Sequence, residues 1–359
     1  MQRLADVQAV RDNNFNLLRF LAALLVIFSH SYPLALGNSS SEPLRQWLGV
    51  TYGSLAVDAF FVISGYLVLQ SWQRQQLLLN FCRARVFRVL PALAGVLLFS
   101  ILLGGYFSSL SLPSYLLHEE TWKYFYKNLL MLKTEYSLPG VFADLPYPEV
   151  INGSLWTLRY EMKMYLGLAV LGLLGLLSGR GFRVFLLVYL GWYVLASWAL
   201  HSRPDLDISA EMLRLSLCFV LGAACAHYAR YLFLRLDVLL GLLLMAWLSV
   251  GSPLFQSLAA LCIAYGVLYL AYVPKGWLLH FNRLGDYSYG LYLFAFPIQQ
   301  ALKAVWPGLQ PWPMFVYAAL LTLLCAIVSW HLIEKPALAY AQRRNAASRA
   351  RLSQAAALS

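Results

Sequence analysis

The stretch "RFLAALLVIFSHSY", residues 19–32, decides how this chain is read. It is an apolar run of membrane grade that nevertheless holds an arginine and a histidine. Arg19 and His30 are separated by eleven positions, close to three α-helical turns, so they share one helix face at roughly 16 Å along the axis. An arginine near a helix end extends its guanidinium to the lipid headgroups. A histidine deeper in the span is costly in hydrocarbon and typically faces a bundle interior. The plain reading of a lone histidine there is a hydrogen bond to a neighbouring helix. The sharper reading is a base, since a pKa near neutrality suits imidazole to take a proton from a hydroxyl.

Composition extends that reading to the whole chain. Of 359 residues, 60% are hydrophobic and only 12% charged, against about 25% charged in soluble domains. Apolar runs of roughly 17–25 residues, the length that crosses a bilayer, fall near 15–36, 53–71, 89–107, 154–178, 183–200, 212–230, 237–251, 253–273, 286–302 and 312–333. The expected fold is all-α, a polytopic membrane helix bundle of about ten transmembrane helices. The first span superficially resembles a signal peptide through "LALG" at 34–37. Arg19 and His30 inside it argue for a retained helix.

The net charge of +11 would fit a nucleic-acid partner, but its distribution does not. Alternate connections carry Arg74, Arg83, Arg85 and Arg88, then Arg180 and Arg183, then Arg230 and Arg235, then Lys275 and Arg283. The tail adds Lys335, Arg343, Arg344, Arg349 and Arg351. Intervening connections hold the acids Glu119, Glu120, Asp144, Glu149, Asp205 and Asp207. Basic loops stay cytoplasmic, so both termini are expected in the cytoplasm, with anionic lipid as a secondary partner and no nucleic acid. Residues 1–340 read as a single transmembrane domain with an outer loop near 108–153. That loop is rich in tyrosine, proline and acids, which fits either an ordered element beside the membrane surface or aromatic anchoring in it. Residues 341–359 read as a basic, alanine-rich cytoplasmic tail, frayed from Asn345 onward. Five cysteines without a Cys-x-x-Cys pair argue against a disulfide framework or a metal site.

Three further stretches hold polar groups at meaningful positions. In "FCRARVFRVLPAL" (81–93), Arg85 and Arg88 share a helix face beside Arg83. Alone they are ordinary positive-inside charge. Together they form a fork of guanidiniums suited to bidentate phosphate binding, as a coenzyme A donor would need. In "NGSLWTLRYEMKMYL" (152–166), Glu161 is flanked by Arg159 and Lys163. A structural ion pair competes there with a carboxylate that meets His30 and raises its basicity. In "GSLAVDAFFVISGYL" (53–67), Asp58 is either a span cap or an acceptor-side group, while Ser64 and Gly65 fit close helix packing. No Gly-x-Ser-x-Gly, His-Glu-x-x-His or Walker sequence occurs, which leaves serine hydrolases, zinc proteases and ATP-driven pumps without support.

Read together, these stretches resemble acyltransferase family 3, membrane proteins that O-acylate bacterial glycans. The likeness runs in family order through "NLLRFLAALLVIFSH", "VDAFFVISGYL", "RVFRVLPAL", "SLWTLRYEMKMYL", "LGDYSYGLYLFAFPI" and "HLIEKPAL". It implies transfer of an acyl group, usually acetyl from acetyl-CoA, to a hydroxyl of an extracytoplasmic or lipid-linked glycan such as a lipopolysaccharide or exopolysaccharide. It carries a catalytic role onto His30, donor contacts onto Arg85 and Arg88, and a site role onto Glu161. Arg19 and Arg83 join the donor side in this reading, and Asp58 and Trp156 the acceptor side. Many relatives have a histidine where "YLFAFP" places Ala295, so a second histidine is not expected here. Some relatives carry a fused hydrolase-like domain that this sequence does not show. The chain is then expected to acylate its acceptor unaided or to pass the acyl group to a separate extracytoplasmic acyltransferase. The competing readings are a transporter or flippase for a lipid-linked sugar, and an inactive relative acting as a membrane partner. A transporter or flippase does not call for paired arginines beside a proline at the inner face; Ala295 favours an inactive relative, and the retained His30, Arg88 and Glu161 count against it.

Overall fold

A computed structural model describes residues 2–8, 12–75, 77–203 and 209–358; Asp205 and Asp207 lie outside the described residues. The chain is built from helices. Helix α1 (Phe15–Leu36) is followed by α2 (Tyr52–Gln75) and α3 (Leu78–Phe107). The long connection contains α4 (Leu112–Leu117) and α5 (Glu119–Leu129). Then come α6 (Trp156–Leu173), α7 (Gly179–Ser202), α8 (Ala210–His227), α9 (Leu236–Leu248) and α10 (Phe255–Tyr272). The last are α11 (Ser288–Val305), α12 (Pro311–Ser329), a π-helical turn (Trp330–Glu334) and α13 (Lys335–Leu358). A two-residue antiparallel pairing of Gln2–Arg3 with Phe233–Leu234 is the strand content of the described residues.

Seven helical segments are long and apolar enough to cross a bilayer: α1, α2, α3, α7, α8, α10 and the continuous run from Pro311 to Arg351. The remaining three expected spans fall on α6, α9 and α11, which are outside these seven. At 13 residues, α9 is only about 20 Å long, short of the ~30 Å hydrocarbon core. Helix α6 carries Arg159, Glu161 and Lys163 within its first turns. In α11 every residue from Ser288 to Gln300 is buried. A helix enclosed on all sides lies in a protein core or inside a membrane bundle, and this one can hold Gln299 and Gln300 because protein atoms satisfy them. Gln299 donates to the carbonyl of Ile27 at 2.9 Å and to Ser31 Oγ at 2.8 Å. Gln300 donates to the carbonyls of Tyr147 and Val150, both at 2.8 Å.

The chain forms two compact units. The first comprises residues 1–22, 54–76 and 160–284. Its packing rests on close backbone approach between α2 and α8: a Cβ on Gly65 would lie 1.9 Å from the carbonyl oxygen of Phe219, and one on Gly222 2.1 Å from that of Val62. Asn14, just ahead of α1, donates to the carbonyls of Leu270 and Pro274 and ties this end of α1 to the end of α10.

The second unit comprises residues 23–53, 77–159 and 285–359. Here α4 and α5 pack against α3 as an ordered element: the buried Tyr115 donates its hydroxyl to the Ile101 carbonyl, and Trp122 donates Nε1 to the carbonyl of Leu116. The tail, expected to fray from Asn345, is helical through Leu358. Alanine, arginine and glutamine favour helix. Asn345 is moreover buried, accepting from Arg83 Nη1 at 2.9 Å and donating to the Asn80 carbonyl at 3.0 Å.

Candidate functional site

In the second unit, His30 stands on α1 with its ring edge-on to Phe296 of α11, the centroids 5.4 Å apart. Phe296 is buried with Leu34, Ala35 and Met314, and it fills the space a side chain on Gly153 would need. The Nδ1 atom of His30 is buried and has no hydrogen-bond partner among the described residues, although the residue as a whole is half-buried. A buried polar atom left unpaired is uncommon in folded proteins and calls for an explanation. A ligand hydroxyl presented to that nitrogen would supply one.

The neighbouring Ser29 donates Oγ to Glu42 Oε2 at 3.0 Å, and the backbone N–H of Tyr52 donates to Glu42 Oε1 at 2.6 Å. Glu42 is fully buried. Burial pushes its pKa up, while the Tyr52 and Ser29 hydrogen bonds and the Arg45 charge act in the opposite direction. Nothing in "SSSEPL" marks this carboxylate as an inside residue, and sequence reasoning missed it.

The arginines of the proposed donor end occupy distinct settings in the same unit. Arg88 donates Nη2 to Asp286 at 2.7 Å, lies 3.7 Å from the buried Glu334, and stacks over the Tyr289 ring at 5.5 Å. Arg83 is joined to Asn345 in the tail helix. Arg85 is half-buried with its Nε atom enclosed. Arg88 is therefore bound to two carboxylates, which a phosphate would have to share or displace. Asp286 and Glu334 were missed as partners because a sequence does not show which loop acid meets which arginine. Trp156 is half-buried at the first turn of α6, where Asn152 accepts from the Ser154 N–H and donates to the Leu293 carbonyl, and Thr157 meets the Tyr292 hydroxyl at 2.8 Å.

In the first unit, Glu161 is hydrogen-bonded by the Tyr165 hydroxyl, one helical turn along α6, and by Ser64 Oγ of α2 at 3.4 Å. Ser64 and Tyr165 are 3.0 Å apart, so the three polar groups form one cluster. Of the flanking cations, Lys163 lies over the Tyr160 ring. The i, i+4 spacing of Glu161 and Tyr165 was a usable signal. Asp58 is buried and ion-paired to Arg214 at 2.7 Å; Arg214 also contacts Glu211 at 2.6 Å and the Ser54 carbonyl. An arginine inside an apolar run demands such a partner, which was the available clue to Arg214. Arg19 is half-buried on the part of α1 that belongs to this unit.

Comparison with known proteins joins these observations. The family profile described as "Acyltransferase domain" matches residues 12–331. The chain belongs to acyltransferase family 3. With seven apolar helices, this acyltransferase is a multi-pass membrane protein. It is 28% identical over 339 residues to a protein named O-acetyl transferase from Shigella phage Sf6, covering 90% of this chain and 96% of that one. It is 29% identical over 362 aligned residues to Nodulation protein 10 of Rhizobium leguminosarum bv. viciae, covering 91% and 93%. No solved structure matches it. Three of the stretches that carry the family likeness meet at one point in the acyltransferase: Arg88 of "RVFRVLPAL", Asp286 of "LGDYSYGLYLFAFPI" and Glu334 of "HLIEKPAL". Among the described residues, no cluster of three His, Cys, Asp or Glu side chains could hold a metal.

Proposed function

We propose that this acyltransferase moves an acyl group, acetyl in the simplest case, from cytoplasmic acyl-CoA to a hydroxyl of an extracytoplasmic or lipid-linked glycan at the bacterial inner membrane. The observation that carries the reading is His30, whose buried, unpartnered Nδ1 sits in a chain of an acyltransferase family. In the neutral imidazole one ring nitrogen is an acceptor. A sugar hydroxyl donating to Nδ1 gives up its proton as its oxygen attacks the thioester carbonyl. The C–O bond forms, the C–S bond breaks, and the coenzyme A sulfur leaves as a thiol with the proton returned by His30. A two-step route has the histidine nitrogen attack first, release the thiol, and then yield the acyl group to the hydroxyl. Trapping with hydroxylamine under single-turnover conditions separates the two, because only the second route leaves an acyl-enzyme.

The donor end is assigned to Arg85 with Arg83 and Arg88, and Arg19 supports it from α1. The carboxylate of Glu161 and the groups around Trp156 and Asp58 serve the acceptor side. The Sf6 relative, named an O-acetyl transferase, supports acetyl as the group moved. The test is acylated surface glycan, measured by mass spectrometry, in cells carrying His30→Ala at wild-type membrane levels. Loss of a general base costs about 10² to 10⁴ in rate, which should erase the modification. Near-normal acylation would remove His30 from the chemistry and the proposed mechanism with it.

A further inference from the structure

The second unit holds a small, open surface cleft where the loop after α5 meets the start of α6. Its polar lining is Lys133, Thr134, Asn128 and Arg159, and leucines, Leu155 and Leu158 among them, form the apolar part. The lining contains two cations and no carboxylate. The cleft takes no part in the chemistry assigned above.

The rim of this cleft is fixed in place. Asn128 is buried and makes three hydrogen bonds round the loop, donating to the carbonyls of Tyr124 and Glu135 and accepting from the Glu135 N–H. Lys127 holds the Glu135 carboxylate at 2.7 Å, while Lys133 stands 3.9 Å from it and is mostly exposed. Between them Met131 adopts a positive φ of 54°, unusual for a side chain of that size. Strained backbone of this kind persists where the surroundings over-determine it, and it concentrates at ligand sites. The tight loop places Lys133 and Thr134 on the lining of the same cleft as Arg159, whose Nε is enclosed by protein. A guanidinium and an ammonium facing one space, with a hydroxyl beside them and leucines beneath, match an anion carried on a larger, partly apolar ligand.

We propose that this cleft is a binding subsite for an anionic group of the acceptor, a carboxylate or a phosphate. The identification of its ligand as an acceptor rests on the glycan-acylation reading, whereas the anion site itself does not. The shared chemistry has two sources in a membrane glycan: the carboxylate of a uronic acid, and the diphosphate that joins a sugar to its lipid carrier.

The experiment uses the full chain in lipid nanodiscs, titrated by calorimetry with two anionic probes and their neutral counterparts. The probes are a glucuronate-containing tetrasaccharide against maltotetraose, and geranylgeranyl diphosphate against geranylgeraniol. One anionic probe should bind at least tenfold more tightly than its neutral counterpart, and which one does so identifies the source. Arg159→Gln and Lys133→Gln should each weaken that binding five-fold or more, and added salt should weaken it further. Lys133 is 73% exposed, so its substitution leaves the fold intact even where Arg159→Gln reduces the yield of folded protein. Failure of both anions to bind better than their counterparts, or unchanged affinity in Lys133→Gln, would overturn the proposal. Because the readout is binding, it stands apart from the His30→Ala acylation test. Loss of acylation in His30→Ala with no anion binding removes the subsite alone, and anion binding with acylation retained in His30→Ala removes the catalytic assignment alone.

Discussion

Arg88 illustrates how a single side chain changes meaning between sequence and structure. Beside Pro91 in a basic stretch it reads as a phosphate ligand whose loss leaves the fold intact. In the folded chain it is the cation between Asp286 and a Glu334 that is 2% exposed. Removing one partner of a buried ion pair typically costs about 3–5 kcal/mol, because the other charge stays buried. Arg88→Ala is therefore expected to lower the unfolding temperature sharply, and Arg88→Ala combined with Glu334→Gln to recover part of the loss. Thermal unfolding of the purified variants checks this, and equal melting of Arg88→Ala and wild type would return the residue to a purely donor-binding role. Glu161 contrasts with it. It is hydrogen-bonded by the neutral hydroxyls of Tyr165 and Ser64, and Glu161→Gln keeps a shape that can still accept from both. That variant should retain acyl-CoA affinity yet lose glycan acylation in cells; normal acylation at matched expression would make the carboxylate structural. Glu42 adds a pH dependence. Its folded pKa is raised above the unfolded value, with burial as the leading cause. The folded state thus binds the proton more tightly, and stability falls as pH rises from the unfolded pKa through the folded one. Glu42→Gln should flatten that slope between pH 4 and neutrality, on the order of the usual carboxylate range, as read from melting temperatures across pH. His30, Arg88 and Glu161 could all be picked from the sequence, as charged or basic groups in apolar surroundings. Glu42 and Asp286 acquire meaning only from their partners, which depend on contacts far apart in the chain or on burial that no local pattern encodes.

At the scale of elements, hydrophobic run length located the long apolar helices, because a bilayer-crossing segment must satisfy its backbone internally and shield it with apolar side chains. What run length could not tell is which side of a helix meets lipid and which meets protein. Helix α11 reads as a span, and its enclosure from Ser288 to Gln300 shows that protein surrounds it, with glutamines that bond to neighbouring backbone. The end of the chain reads as a frayed tail from its composition, but Arg83 and Asn80 hold Asn345 in place. Between α12 and α13 the helix widens into a π turn that contains Glu334, a local distortion that helices often carry at functional positions. The contact of α2 with α8 is more exacting than either sequence suggests. A Cβ on Gly65 would sit within 1.9 Å of a backbone carbonyl, which no rotamer change relieves. Overpacking a well-fitted contact usually costs about 1–3 kcal/mol, and here backbone would have to move. Gly65→Leu should abolish monodisperse protein in size-exclusion chromatography, while Leu at Gly241, where a Cβ meets no atom within 4 Å, should leave the profile unchanged.

For the molecule as a whole, the distribution of basic residues predicts which membrane face each connection occupies, and one exposed cysteine makes that assignment testable. Cys82 lies in the first turn of α3, beside Arg83 and Arg85, and is exposed. Cys218 and Cys262 are buried, and Cys225 and Cys325 are partly buried. The thiolate is the reactive form of cysteine, so an exposed thiol in an arginine-rich segment should dominate labelling by a maleimide that cannot cross the membrane. If the Arg74–Arg88 connection faces the cytoplasm, as the positive-inside bias requires, such a reagent added to whole spheroplasts should leave Cys82 unmodified. The same reagent added to inverted inner-membrane vesicles should modify it, and Cys82→Ser should remove that signal. Cys82 sits on the same helix as the arginines assigned to acyl-CoA, so its side of the membrane also fixes the side from which the donor arrives. Labelling of Cys82 in spheroplasts would reverse the orientation of the whole bundle. The cationic cleft and the α4–α5 element would then face the cytoplasm, and an acceptor glycan on the outer side could no longer reach the cleft.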